Sequence, residues 1–435
     1  MQSLQQSLLS WPTTTVAFVA TAFVAHLIVS KKHKQQPRIY FDSNATTPID
    51  DRVYQAMIPF FTKEFGNPSS TNHWAGQVPA ASIQKARQQV LQLLGLEDPT
   101  SAATPLSAVW FTASGTEADN WAIALALQNA TQVPPHIVTT NVEHPAIAHY
   151  LEHLQNLGRC RVTYVPVNQE GRVDANQVLQ AITKSTCLVT IQYANNETGA
   201  VQPIQEIAQY CRQHDILFHT DAAQAAGRVS MLFGENGPDM ITLVGHKMGA
   251  PKGVGCLYVR PGCLQQEVNL LWGGGQEYGR RGGTENVPYL VGFGTACALA
   301  SQEWQQRAQH MEAMRTLLLQ LLTDGLGVDN VKANGPTDPA WRLPNTLSVG
   351  IKNVQAGALL QAVGDRVAAS AGASCHTPQA QVSAVLLAMK VPTEFALGTI
   401  RLSVSHTTTK SEVEQAAAIL IAAVKEQWVA NNKVV

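Results

Sequence analysis

The chain predicts an α/β fold: a large domain with a mainly parallel sheet flanked by helices, then a smaller α+β domain, the whole preceded by an N-terminal hydrophobic helix. Three observations predict it. Apolar runs of strand length alternate with helical stretches for about 130 residues after Ala108, the pattern of a parallel sheet covered on both faces. Near Leu299 the alternation stops, and a long helix leads into a Gly/Asn/Pro-rich stretch and strands in another order. The first thirty residues contain no Asp, Glu, Lys or Arg. The implied segments are 1–37, 38–299 and 300–435, with the first residues of the large domain joining the small one.

Taken in order, the elements begin with the uncharged stretch Leu8 to Val29, followed by Lys31, Lys32 and Lys34. A spanning helix needs about 20 mostly apolar residues, and this stretch reaches that length. Pro12 would start the helix and Trp11 would sit at the interface. The expectation is a single membrane anchor, with the flanking lysines keeping the main domain cytosolic. The alternatives are an organelle-targeting segment that is removed and a dispensable extension. No basic residue precedes the apolar part and no arginine precedes Arg38, which argues against a signal or transit peptide.

Ala80–Leu94 reads as a helix with Ile83, Ala86, Val90 and Leu94 on one face and Gly95 as its cap. Ala108–Thr112 is a strand, and Ser114-Gly115-Thr116-Glu117 opens a helix to Gln128. Further strands fall at His136–Thr140, Val162–Val167, Leu188–Tyr193 and Ile216–Thr220, with a helix at Pro203–His214. The C-terminal part holds a helix at Ser301–Leu322 and strands at Thr346–Ile351, Val367–Ser370 and Ile400–Val404. A last helix follows Thr409, capped with Glu412 three residues on.

Composition narrows the function. The 435 residues suffice for two or three domains. With 45% hydrophobic and 14% charged residues, the chain is not intrinsically disordered. Beyond residue 37 it carries 27 basic and 31 acidic side chains, so no nucleic-acid partner is expected. The seven cysteines are scattered and never form CxxC, which argues against a disulfide framework or a metal site and for a reducing compartment.

Ligands of open α/β sheets bind at the carboxyl ends of the strands. Four polar groups fall at such ends. Ser114-Gly115-Thr116 follows a strand and opens a helix, a place where backbone N–H groups hold phosphate. His144 follows another strand, Asp221 ends an apolar run, and Lys247 ends Met-Ile-Thr-Leu-Val-Gly-His-Lys. Singly, each reads as a cap, a turn or a solvated tip. Together they are the parts pyridoxal 5'-phosphate needs: a Schiff-base lysine, a carboxylate for the pyridine nitrogen and a phosphate cradle. Gly245, Gly249, Gly253 and Gly255 would let the cofactor approach the backbone.

Seven blocks carry a family resemblance. Asp-Ser-Asn-Ala-Thr-Thr-Pro (42–48), Gly-Asn-Pro-Ser-Ser (66–70), Ala-Asn-Asn-Glu-Thr-Gly (194–199) and Thr-Asp-Ala-Ala-Gln (220–224) resemble cysteine desulfurases. So do Gly-His-Lys-x-x-x-Pro-Lys-Gly (245–253), Gly-Gly-Gly-Gln-Glu (273–277) and Arg-Gly-Gly-Thr-Glu-Asn (281–286). These are fold-type I pyridoxal-phosphate enzymes of the class V aminotransferase superfamily, and the likeness runs from about residue 38 to 425 in the family's order. The resemblance implies that Lys247 carries the cofactor, Asp221 pairs with its ring nitrogen, His144 stacks on the ring and Gln224 contacts the phenolic oxygen. Gly115, Thr116 and His246 would hold the phosphate, with Thr284 reaching it from the partner of a homodimer. Asn196 and Arg401 would bind substrate, the arginine gripping the α-carboxylate, with Asn44 assisting.

Cys375, in Ala-Ser-Ala-Gly-Ala-Ser-Cys-His-Thr-Pro, matches the family's nucleophile and sits in a run of small residues that suits an accessible loop. The other six cysteines read as small buried hydrophobes. The implied reaction takes L-cysteine to L-alanine and leaves a persulfide on Cys375 for a sulfur-acceptor or scaffold protein, in iron–sulfur cluster or other sulfur-cofactor assembly. His376 would lower the thiol pKa or relay a proton.

Three departures from the pattern stand out: Val244 where many members have a phosphate-binding Ser, His376 after the nucleophile, and Ser405-His406 where Gly-Arg is usual. Val-Gly-His-Lys and Cys-His are also similar to the animal selenocysteine lyases, so release of selenium from selenocysteine is the alternative chemistry. A membrane-tethered scaffold without catalysis would need none of Lys247, Asp221, His144, Cys375 and Arg401.

Overall fold

The computed structural model describes residues 38–96, 104–234, 236–371, 373–374 and 381–432. The hydrophobic stretch before Arg38, and the Cys375–His376 pair, lie outside the described residues. Seven strands form the main sheet: β1 (Val109–Thr112), β2 (His136–Thr140), β3 (Arg161–Val165), β4 (Thr186–Thr190), β5 (Leu217–Asp221), β6 (Met240–Val244) and β7 (Gly255–Val259). Their order is β1-β7-β6-β5-β4-β2-β3. All run the same way except β7, which pairs antiparallel with β6 and with β1. The parallel sheet expected from the alternation is therefore present, with one reversed strand.

β7 is the strand of the main sheet that the sequence reading missed. Gly-Cys-Leu-Tyr-Val follows a glycine-rich turn with no intervening helix, so the strand–helix rhythm gave no signal for it. Every residue of β1, β2, β6 and β7 is buried, which explains their unbroken apolar runs. Successive residues feed two different cores. Trp110, Ile137, Leu188, Met240 and Leu257 pack with Trp121, Ile147 and Leu151, whereas Phe111, Val138, Val189, Ile241 and Cys256 pack with Val90, Ile207 and Phe293. This period of two lets one strand serve helices on both faces. The Trp110 and Trp121 rings meet at 4.9 Å.

The helices that matter are α1 (Trp74–Leu93), α2 (Gly115–Gln128), α3 (Pro145–Asn156), α4 (Ile204–Gln213), α5 (Val287–Leu326) and α6 (Lys410–Asn432). α1 starts ahead of the expected Ala80 and carries Pro79 within it. Proline removes a backbone donor and usually marks a start, so the sequence reading began the helix one residue too late to include it. α5 is a continuous helix of 40 residues rather than one beginning near Ser301. It packs on α1, on α6 and on a second sheet.

That second sheet comprises β8 (Val331–Asn334), β9 (Thr346–Ile351), β10 (Ser370–Ala371) and β11 (Thr399–Ser403), antiparallel in the order β10-β11-β9-β8. The strand expected over 367–370 divides into Val367–Ala368 and Ser370–Ala371. Beyond it, Ala373–Ser374 pairs with Gln381–Val382. Among the described residues no helix is long and apolar enough to cross a membrane.

Candidate active site

A pocket of about 600 Å³ opens at the carboxyl ends of the main-sheet strands. Asn44, Gly115, Thr116, His144, Asn196, Asp221, His246, Lys247 and Arg401 all line it. Residues spread over some 350 positions thus meet: those of the main sheet follow strands that end at the same edge, and Arg401 is brought there by the second sheet.

One end is the N-terminus of α2. Ser114 caps it, accepting the Glu117 N–H at 3.1 Å. Gly115 is required there: a Cβ would stand 2.4 Å from Val244 Cγ2. The departure at position 244 therefore packs against the cradle instead of offering a hydroxyl to it. His246 sits opposite, with Nδ1 3.1 Å from Thr46 Oγ1 and its carbonyl taking the Thr47 N–H at 2.8 Å. Burial first, then Lys247, push its pKa down to about 4, so the ring is neutral. Free backbone N–H groups and a neutral histidine at a helix start suit a phosphate.

In the middle stand Lys247, Asp221 and His144. Lys247 follows β6 in a short turn, and burial lowers its pKa while Asp221 opposes that shift. A larger neutral fraction makes the amine a better nucleophile. Asp221 ends β5 and accepts the Ala223 N–H at 2.9 Å. His144 caps α3, its Nδ1 accepting the Ala146 N–H at 3.2 Å, so Nε2 carries the proton of the neutral ring. Burial is the first cause lowering its pKa.

Two buried acids beside this centre escaped the sequence reading. Asp119 lines the pocket from α2, and its Oδ1 is buried without a hydrogen bond. Burial, then the charge of Asp221, push its pKa well above the usual carboxylate range, against a hydrogen bond from Thr242. His219 lies 3.7 Å from that oxygen and bridges Thr190 at 2.9 Å and Thr242 at 3.0 Å. Glu143 accepts from Thr140 at 2.5 Å and from the Gln192 N–H at 2.9 Å, and burial raises its pKa to about 8. Spacing held the clue: Asp119 is one helical turn beyond Thr116, and His219 shares a strand face with Asp221.

Arg401, on β11, closes the far end. Nη2 donates to Asp42 at 2.7 Å and Ser370 at 3.0 Å, and Nη1 to the Asn196 carbonyl at 3.1 Å. Its Nε is buried and unbonded, a donor left for a ligand. Asn44 has no such spare group: it donates to Thr346 at 2.8 Å and to the Asn196 carbonyl at 3.0 Å, and accepts from Asn345 at 2.9 Å.

Gln224 and Thr284 do not line the pocket of this chain, Thr284 being the residue expected to reach it from the partner subunit. Gln224 is buried outside the pocket lining, donating to the Asn44 carbonyl at 3.0 Å and accepting from Arg228. Thr284 lines a neighbouring cavity of about 230 Å³ that shares Gly253 and Val254 with the pocket. Cys375 follows directly on Ser374, whose partner is Gln381, but lies itself outside the described residues.

A parallel sheet with lysine, aspartate and an anion cradle at its carboxyl edge defines a class, and the family model for class-V aminotransferases matches residues 39–416. Within that class, the cysteine desulfurase of Trichormus azollae is 39% identical over 88% of this chain and 92% of that protein. The Azotobacter vinelandii cysteine desulfurase NifS is 40% identical over 87% and 90%. A solved NifS-like protein superimposes with a TM-score of 0.80 at 33% identity, over 89% of this chain and 99% of that one. The chain belongs to the cysteine desulfurase family.

Proposed function

We propose that this enzyme converts L-cysteine to L-alanine with pyridoxal 5'-phosphate on Lys247 and leaves the sulfur as a persulfide on Cys375. When bound, the cofactor supplies an electron sink for charge developing at the substrate's Cα. Thr116, Gly115 and His246 would hold its phosphate, Asp221 would keep the proton on its ring nitrogen, and His144, with its own proton on Nε2, would lie against the ring. Arg401 binds the substrate carboxylate, with the unbonded Nε as the spare donor. Lys247 moves the Cα proton, its burial lowering the amine's pKa. The Cys375 thiolate attacks the substrate sulfur, the carbon–sulfur bond breaks, and the departing carbon takes a proton to become alanine.

One observation carries the choice of nucleophile. All six other cysteines are buried or half-buried. Burial raises the thiols of Cys187, Cys211 and Cys263 to about 12 and those of Cys160, Cys256 and Cys297 upward as well. None of the six is disposed to form a thiolate at neutral pH. Cysteine as substrate is supported by a similar solved structure, "SspA in complex with cysteine", with a TM-score of 0.67 at 31% identity over 85% of this chain and 100% of that one. The persulfide would pass to an acceptor or scaffold protein. A homodimer is supported by Phe65, Trp74 and Trp272, which lie 69%, 76% and 84% exposed.

The test compares full-length protein with Lys247→Ala and Cys375→Ser, supplied with cysteine. Lys247→Ala should lose both the visible chromophore and alanine production. Cys375→Ser should keep the chromophore but form no protein persulfide by mass spectrometry. A persulfide on Cys375→Ser would transfer the role to another cysteine, and selenide release from selenocysteine that survives in this variant would favour a lyase directed at selenium.

A further inference from the structure

The loop 273–286 lies against the start of α2. Arg281 Nε donates to Glu117 Oε1 at 2.9 Å, and Nη2 reaches Oε2 at 3.4 Å. Glu117 is also part of the helix cap, because Oε2 accepts the Ala113 N–H at 2.8 Å while its own N–H is held by Ser114. It is the residue after Thr116, in the first turn of the helix proposed to bind the cofactor phosphate. The pair is sheltered, with side-chain exposures of 22% and 15%, so solvent screens it only partly.

A carboxylate in a first turn stabilises a free helix N-terminus. At a site meant for phosphate the same charge is adverse, since two anions then compete for one positive end. An arginine on Glu117 removes the conflict and leaves the capping bond in place. The loop is fastened independently of this pair. Buried Glu277 forks with Arg87 at 2.8 and 2.9 Å and takes the Phe111 N–H at 2.9 Å. Glu277 and Tyr278 hold φ of 50° and 57°, a left-handed conformation that costs non-glycine residues energy. That strain is held just ahead of Arg281.

We infer that Arg281 is a positioning residue that cancels the charge of Glu117 and so keeps the start of α2 receptive to the cofactor's phosphate. The inference rests on the cofactor reading above.

The test titrates the full-length protein, freed of cofactor, with pyridoxal 5'-phosphate and separately with pyridoxal, reading uptake by absorbance. Arg281→Met should weaken binding of the phosphorylated compound on the order of tenfold, while pyridoxal changes by less than about twofold. Arg281→Lys keeps the charge and should bind both compounds as the parent does. Glu117→Gln preserves the cap, so adding it to Arg281→Met should restore phosphate-compound affinity to within about twofold of the parent. A double variant as weak as Arg281→Met, or equal losses for both compounds, would overturn the inference. A parent protein that binds neither compound would overturn the cofactor reading, and the inference with it.

Discussion

Glu143 stands next to His144, but its carboxyl is held by partners within the protein. Both oxygens are bonded inside the protein, and burial raises the carboxyl from 4.5 to about 8. An acid raised in this way stabilises the fold fully below pH 4.5, where folded and unfolded chains are both protonated. That contribution is lost as the pH rises towards about 8, because the unfolded chain ionises first. Glu143→Gln keeps an acceptor for the Gln192 N–H and cannot ionise. Thermal unfolding should show no advantage for the variant at pH 4.5 and one of a few kcal/mol, growing to a plateau, above pH 8. A difference that stays constant with pH would show that Glu143 is already ionised in the folded enzyme. At this scale the sequence disclosed Lys247, Asp221 and His144, which follow or end strands, and Arg401 through its family motif. Asp119 and Glu143 stayed hidden, since their importance comes from burial and from the neighbouring charge of Asp221.

Between elements, the junction that matters ties α1 to the glycine-rich loop before α5. Arg87 and Glu277 are each only 3% exposed in their side chains, and Arg87 also lies over the Phe111 and Tyr278 rings at 4.8 and 5.1 Å. Removing one partner of a buried pair strands the other charge, at a cost of about 3–5 kcal/mol. Arg87→Met should therefore lower chemical-denaturation stability by that order, and Arg87→Met with Glu277→Gln should recover part of the loss. Equal stability of the single variant and the parent would mean that solvent reaches Glu277. No local pattern announces this pair, because all seven strands of the main sheet lie between its members in the chain. Elements with strong local patterns were legible: β2, β9 and the helix after Thr409 fall where their periodicity and capping place them. The β7 strand and the full length of α5 were not, since β7 depends on its partners β1 and β6.

At the level of the whole molecule, two questions remain proposals: association and the N-terminal segment. Tyr54, Ile58, Phe61 and Phe65 recur every three or four residues and are exposed, as are Trp74 and Trp272. Apolar side chains of this size in water mark a surface made for a partner. Changing both Phe65 and Trp272 to Asp should shift sedimentation from dimer towards monomer, whereas an unchanged profile would place the interface elsewhere. The reading of residues 1–37 as an anchor rests on the uncharged stretch Leu8 to Val29 and the lysines after it. A chain beginning at Arg38 should leave the membrane fraction and keep desulfurase activity, because the whole pocket is built from later residues. Full-length protein washed from membranes by carbonate would eliminate the anchor.

The sequence by itself determined the alternation that makes a parallel sheet, the strand ends that carry Lys247, Asp221 and the Ser114–Thr116 cradle, and the family to which these motifs belong. Each of these is encoded within a few neighbouring residues, in periodicity, capping or motif. The tertiary structure decided what depends on neighbours distant in the chain. It placed Gln224 between the Asn44 carbonyl and Arg228, bound Arg401 to Asp42, wholly or partly buried six thiols, and set Asp119 against Asp221 and Arg281 against Glu117. Burial and pairing set the charge and reactivity of such groups, and both exist only once strands far apart in sequence lie side by side.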